Sequence, residues 1–252
     1  MPEPANHSTQ LQILKGILAD LHGHDAPLTA IAVGSHMVAV SCDGHTGLAT
    51  RQGLHGHDIG VSPVMADLPA SGLELAGWLV APPEFVPQAR SLGLAAVNAL
   101  LPQPCDLTQA KGQDLILKHG TGRNVAVVGH FPFVVRMGPE FARLSILELS
   151  PRAGDLPAAQ AKQILPEADV VALTGTTLLN GTLAGLLALC RRDALVLMLG
   201  PSTPFAQSLF SHGLDVLAGA RVVDADSVRK GILEGRPFKS LTGANALVWQ
   251  KR

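Results

Sequence analysis

The sequence predicts an α/β protein in which a small α+β unit precedes a larger, parallel α/β unit. Three observations carry that prediction: an α-βββ-αα pattern over the first hundred residues, a change of texture across 102–123, and alternation of short apolar runs with helical periodicity from Asn124 onward. At 252 residues the chain has room for one large domain or two ordinary ones, and the break in texture favours two, 1–104 and 105–252.

Residues 9–21 carry Leu11, Leu14, Ile17, Leu18 and Leu21 at the spacing of an amphipathic helix. Three β-rich runs follow at 30–33, 37–42 and 46–50. Gly34-Ser35 separates the first two, and Asp43-Gly44, a strong tight-hairpin signal, separates the last two. Residues 71–80 and 84–101 have helical patterns. Pro82 and Pro83 stand at the start of the second, with Glu84 as a charge favoured at a helix N-terminus. The linker 102–123 has room for one short helix.

Beyond it come a strand at 125–128, the run SILELS with Glu148 near its end, a Pro/Gly/Asp-rich turn and a helix near 158–165. Strands follow at 169–173, 194–199, 215–218 and 221–224, then a helix near 227–234 and a last strand near 246–250. In a 3-2-1-4-5 order the strand at 125–128 lies beside the one at 194–199, so that the loop at His130 faces the loop at Ser202.

The rest is organised around residues 168–205, read as strand, polar loop, helix, twice over. Thr176 or Thr177 is expected to cap a helix beginning near Leu178, with Asn180 in its first turn. Ser202 or Thr203 is expected to cap another, with Pro204 as its first residue. Two capped helix N-termini on one sheet edge would suit an anion or a polar ring.

Composition narrows the partners. Hydrophobic residues make up 47% of the chain, charged ones 15%, and the formal net charge is −1. A sizeable core is therefore available, and no global field draws nucleic acid or a membrane surface. Every apolar run is broken before the roughly 18 residues a membrane span needs. The N-terminal MPEPANHSTQ has neither the basic nor the apolar region of a signal peptide. Cys42, Cys105 and Cys190 are odd in number and far apart, which fits reduced thiols in a cytoplasm. The apolar fraction points to a homo-oligomer.

Several groups carry chemistry. The loop GHFPF after the first parallel strand has only Gly129 of the dinucleotide fingerprint, and Pro132 has no N–H for a phosphate, so NAD and FAD are disfavoured. Glu148 stands where a ribose or ring hydroxyl would be held, or is a carboxylate met by local N–H groups. His130 is a general base, a ligand or a plain loop histidine. Asn98 interrupts an apolar helix, either as a buried amide or as a polar group lent to a cleft between the domains. HGHD occurs twice, as His22-Gly23-His24-Asp25 and His55-Gly56-His57-Asp58. Two His and one Asp form a recognisable zinc or iron set, yet each copy sits in a loop where such residues are common. Nucleophile elbow, P-loop and CxxC pair are all absent.

VGHFPF at 128–133, ILEL at 146–149, ADVVALTGTTLLNGT at 168–182, GPSTPF at 200–205 and GLAAVNALL at 93–101 together resemble the putative heavy-metal chelation family. That resemblance implies an enolase-N-terminal-like α+β domain followed by a Rossmann-like one. It also implies a site between the domains that acts on heterocyclic molecules such as pterins, flavins or siderophores, by condensation or hydrolysis. Carried over by motif, it points to Asn98, His130 and Glu148 as catalytic candidates. Its ligand-binding candidates are Gly129, Thr174, Gly175, Thr176, Thr177, Asn180, Gly200, Pro201, Ser202 and Thr203. The HGHD pairs are not part of the family pattern, and the lack of a glycine-rich first loop argues against S-adenosylmethionine. The metal ligands are unassigned; a metal ion or metal chelate is the cofactor the resemblance allows, and the partner is a small molecule. An enzyme acting on a polar heterocycle and a non-catalytic carrier of metal or metal chelate are the two readings left open.

Overall fold

The computed structural model describes residues 4–52, 68–82, 86 and 88–252. The chain opens with helix α1 (Pro4–Ala19), strands β1 (Leu28–Val33), β2 (Met37–Cys42) and β3 (His45–Thr50), then helices α2 (Gly72–Gly77) and α3 (Ala89–Leu100). This is the expected α-βββ-αα order. The strands form an antiparallel sheet in sequential order, and Asp43-Gly44 makes a two-residue hairpin with φ of 42° and 81°. Ser71 caps α2, its hydroxyl accepting from Glu74 N–H at 3.2 Å. Glu84 and the His55, His57 and Asp58 set lie outside the described residues.

Helix α4 (Gly112–Gly120) occupies the predicted linker. After it run β4 (Asn124–Val128), α5 (Pro132–Met137), β5 (Arg143–Glu148), β6 (Leu156–Pro157), α6 (Ala161–Ile164), β7 (Val170–Thr174), α7 (Thr176–Leu179), α8 (Leu183–Leu187), β8 (Leu195–Leu199), α9 (Ser208–Ser211), β9 (Val216–Val222), α10 (Ala225–Leu233) and β10 (Ala244–Gln250). The seven strands pair in the order β10-β9-β8-β7-β4-β5-β6, parallel except for β10.

Three expectations are corrected here. The two-residue β6, read from sequence as part of a turn, is the third strand of this sheet; the doubly wound 3-2-1-4-5 order therefore holds with β7 in fourth place. Consequently β4 lies beside β7 and not beside β8, and the loop after β4 meets the loop at Thr174. The runs at 215–218 and 221–224 are one strand, because β9 pairs with β10 along its whole length from Val216 to Val222.

Strand side chains alternate between two cores, as a sheet covered on both faces requires. From β7, Val171 and Leu173 join the larger cluster while Val170 and Ala172 join the one on the opposite face. The larger cluster is continuous with Ile13 and Ile17 of α1, Val38 and Val40 of β2 and Leu94 of α3. The other face of the small sheet, through Met37, Ala39 and Leu48, packs on Val228 and Ile232 of α10. Among the described residues no helix is long and apolar enough to cross a membrane.

All three cysteines are free. Burial pushes the Cys190 thiol up to about 11; burial, with the nearby Asp25 carboxylate, does the same for Cys42. Cys105 is exposed. A thiol-reactive chromogenic disulfide near neutral pH is therefore expected to modify Cys105 rapidly and the other two only after denaturation, with peptide mass spectrometry locating the label. Rapid native labelling of Cys42 would contradict this burial.

Candidate functional site

A cleft of about 1180 Å³ opens along the C-terminal edge of the parallel sheet. Pockets for small molecules typically measure roughly 300–1,000 Å³, so there is room for a cofactor-sized ligand. Four neighbouring strands release the chain into it. Gly129 and His130 follow β4, Glu148 ends β5 with Leu149 next, Thr174 ends β7 with Thr176 beyond it, and Gly200 and Pro201 follow β8. His36, Met37 and Thr50, from the ends of β2 and β3, close one side, so the cleft is lined from both sheets. Phe131, Phe238, Leu186 and Leu189 give it apolar walls, while Lys162 and Asn180 add polar groups.

His130 is held from behind. Its Nδ1 lies 3.2 Å from Asp155 Oδ2 and 3.4 Å from Oδ1. The Asp155 side chain is 2% exposed and that of His130 20%, so the carboxylate is enclosed and the ring reaches the cleft. Asp155 Oδ2 also accepts from Arg152 N–H at 3.1 Å. Among the described residues the Glu148 carboxylate accepts from the N–H of Leu149, at 3.1 Å, through Oε2, and a carboxylate has further acceptor capacity on Oε1.

The polar loop after β7 is built differently from its sequence reading. Helix α7 begins at Thr176 with Gly175 at its N-cap and no side-chain cap, and Asn180 is its C-cap rather than a first-turn residue. Thr177 Oγ1 turns back to the Thr174 carbonyl at 2.8 Å, and Thr176 Oγ1 donates to Thr174 Oγ1 at 3.1 Å. Asn180 Oδ1 accepts from Thr182 N–H and hydroxyl at 3.2 and 2.7 Å, and among the described residues its amide N–H₂ is left free to donate. Thr174, Thr176, Thr177 and Asn180 all line the cleft.

After β8 no helix begins at Pro204; the next, α9, starts at Ser208, so the expected cap at Ser202 or Thr203 does not form. Ser202 is buried and accepts from Thr50 N–H at 2.8 Å while its hydroxyl donates to Thr50 Oγ1 at 3.0 Å, tying β3 to the parallel sheet. Thr203 is buried, and its hydroxyl has no partner among the described residues. Gly175 packs against this turn: a Cβ there would stand 2.8 Å from Ser202 C and Thr203 N. Asn98 donates from Nδ2 to the Leu48 carbonyl at 2.8 Å. Asn98, Gly175, Ser202 and Thr203 are thus not among the residues that line the cleft.

Of the first HGHD set, Asp25 is occupied structurally. It accepts from Ser71 Oγ at 2.7 Å, Leu73 N–H at 2.9 Å and Ala26 N–H at 2.8 Å. The Leu73 amide first, and the Ser71 hydroxyl next, hold its carboxyl below the usual range. Among the described residues no three His, Cys, Asp or Glu side chains converge as a metal site. Nor does a thiol line the cleft, and soft metals prefer thiolate donors. Among the described residues the cleft wall carries His36, His130 and Glu148 as its nitrogen and carboxylate donors.

Sequence reasoning missed Asp155, Lys162, Thr50 and Phe238. Asp155 sits in SPRAGDLP, where an aspartate is ordinary turn chemistry; only the fold brings it to His130.

The sequence model of the DUF364 family, described as putative heavy-metal chelation, matches residues 111–249. The chain is 33% identical over 146 residues to an uncharacterised protein of Methanocaldococcus jannaschii, and that match spans 54% of this chain and 56% of the relative. A crystal structure of a DUF364 protein of unknown function from Desulfitobacterium hafniense is similar with a TM-score of 0.83 and 26% identity, covering 97% of this chain and all of that one. A DUF364 protein of unknown function from Pyrococcus horikoshii shares the fold at a TM-score of 0.75 and 21% identity over 96% of this chain and 99% of that one. With more than half of its length inside the family's sequence model, this chain belongs to the DUF364, putative heavy-metal chelation, family.

Proposed function

We propose that the cleft binds a polar heterocyclic small molecule, of the size of a pterin, flavin or metallophore precursor, between the N-terminal lobe and the parallel sheet, and that His130 moves a proton on it. The observation that carries this reading is a roomy cleft with apolar walls, lined by both an oriented imidazole, His130, and an under-used carboxylate, Glu148. Phe131 and Phe238 offer flat surfaces to a ring; Glu148 accepts from a ring N–H or hydroxyl, and the Asn180 amide donates to a carbonyl. The donor set also reconciles this reading with the family description: metal would enter already held by a small-molecule chelator, or the protein would act on a chelator's precursor.

Fluorescence titration with pterin-6-carboxylate and with riboflavin tests the reading. Binding of at least one probe is expected, weakened about 10- to 100-fold in His130→Ala and in Glu148→Gln, the range for losing one hydrogen bond to a charged or oriented group. Identical isotherms for wild type and both variants would place the ligand elsewhere. Saturable binding of free Zn²⁺ or Cd²⁺, unaffected by either variant, would favour the carrier reading.

A further inference from the structure

We propose that Asp155 is a positioning residue that fixes His130 as its Nδ1–H tautomer, leaving Nε2 bare as a general base for a weakly acidic N–H or O–H of the cleft ligand. The base role rests on the small-molecule reading above; the tautomer does not.

The argument starts from the enclosed carboxylate. A charge removed from water must find donors, and a carboxylate can only accept. At 2% exposure Asp155 has two among the described residues: the Arg152 N–H and the His130 ring. Among the described residues no lysine or arginine pairs with it; the positive groups that form ion pairs elsewhere, such as Arg191 and Arg236, do so with other carboxylates. The Arg152 bond alone closes a local turn and would serve a purely structural aspartate. The second contact aligns both carboxylate oxygens on one ring nitrogen of a residue that lines the cleft.

An ionised Asp155 therefore requires hydrogen on Nδ1. In the neutral ring the lone pair then sits on Nε2, the nitrogen left for a ligand. The step it supports is balanced without any co-reactant. Nε2 takes the proton as the ligand's N–H or O–H bond breaks, the bonding pair stays on the ligand atom, and the imidazolium formed is stabilised by the Asp155 carboxylate until the proton returns. The ligand class that follows is a heterocycle with a weakly acidic ring N–H or hydroxyl, whose proton Nε2 can take and return.

Long-range ¹H–¹⁵N correlation spectra of the full-length protein read this directly, with His130→Gln assigning the signals. The wild type is expected to show a protonated Nδ1 and a lone-pair Nε2; Asp155→Asn is expected to give a mixed or reversed tautomer. Diethyl pyrocarbonate, which acylates a bare ring nitrogen, should modify His130 in the wild type and several-fold more slowly in Asp155→Asn, read by peptide mass. A wild-type spectrum with hydrogen on Nε2 would overturn the proposal even if the variant failed to fold, and so would equal modification rates in a folded variant. Probe binding measured in parallel separates the two readings. Loss of the tautomer effect with binding intact refutes the pair alone, whereas a fixed tautomer without probe binding refutes the ligand.

Discussion

Replacing Gly47 by alanine is expected to lower the stability of the whole protein by about 3 kcal/mol, or roughly 6–12 °C in melting temperature for a chain of this size. Gly47 lies in the middle of β3, where helix α3 crosses it with backbone against backbone. A Cβ at this position would overlap the Ala95 carbonyl oxygen and the Ala99 nitrogen and stand 2.7 Å from the Asn98 carbonyl carbon. These are helix atoms, bonded into their own ladder, and they cannot swing aside as a side-chain tip would. The same approach lets Asn98 reach the Leu48 carbonyl, so the variant is expected to loosen that bond as well. Gly77→Ala is the control: nothing lies within 4 Å of its built Cβ, and alanine at a helical position is neutral or stabilising. Thermal melts followed by circular dichroism decide the matter, and a Gly47→Ala midpoint equal to that of Gly77→Ala would show that α3 and β3 are not in this contact.

The neighbours Ser202 and Thr203 should respond differently: loss of stability at the first, none at the second. Both are buried hydroxyl residues in one turn. Ser202→Ala removes the acceptor of the Thr50 N–H and the donor to its hydroxyl, leaving polar groups without partners, and is expected to cost about 1–3 kcal/mol. Thr203→Val replaces a hydroxyl that has no partner among the described residues by a methyl group of the same shape, so stability is expected to hold or rise by up to about 1 kcal/mol. Because Thr50 also forms part of the cleft wall, Ser202→Ala should additionally weaken pterin-6-carboxylate or riboflavin binding, although Ser202 does not itself line the cleft. Chemical denaturation of the two variants side by side gives the test; equal shifts would contradict the hydrogen-bond assignment.

What the sequence reveals is the information that is local. The DG hairpin, the α-βββ-αα order and the alternation after Asn124 each rest on residues close in the chain, and all are present in the structure. The helix starts are misread for a physical reason. Orphan N–H groups need acceptors, and a local Ser or Thr is the usual source. Here helix α1 and the residue just after it supply them from far away: Gln10 Oε1 accepts from Ala184 N–H at 3.0 Å, and Asp20 Oδ2 from Ser208 N–H at 2.8 Å. With α8 and α9 capped from outside, the threonines and serines after β7 and β8 are released to bond backward or across to β3. Strand β6 escapes the reading because two residues carry no periodicity; its pairing with β5 alone defines it. The cleft residues after β4, β5, β7 and β8 are legible because the rule that ligands meet strand C-termini needs only the strand ends. The partner of His130 is not, since twenty-five residues separate the two and nothing in the turn distinguishes its aspartate.

Helix α1 bears on how a molecule reaches the cleft. Its apolar face belongs to the same core as the parallel sheet, its Gln10 holds α8 and Asp20 just beyond it holds α9, and Ser202 fastens the end of β3 to the turn after β8. Pulling the small sheet away from the large one would tear open that shared interior, so the two cannot part and clamp like jaws around a guest. On the proposed small-molecule reading, admission and release would instead pass through the standing mouth of the cavity, with selection made by the shape it already has.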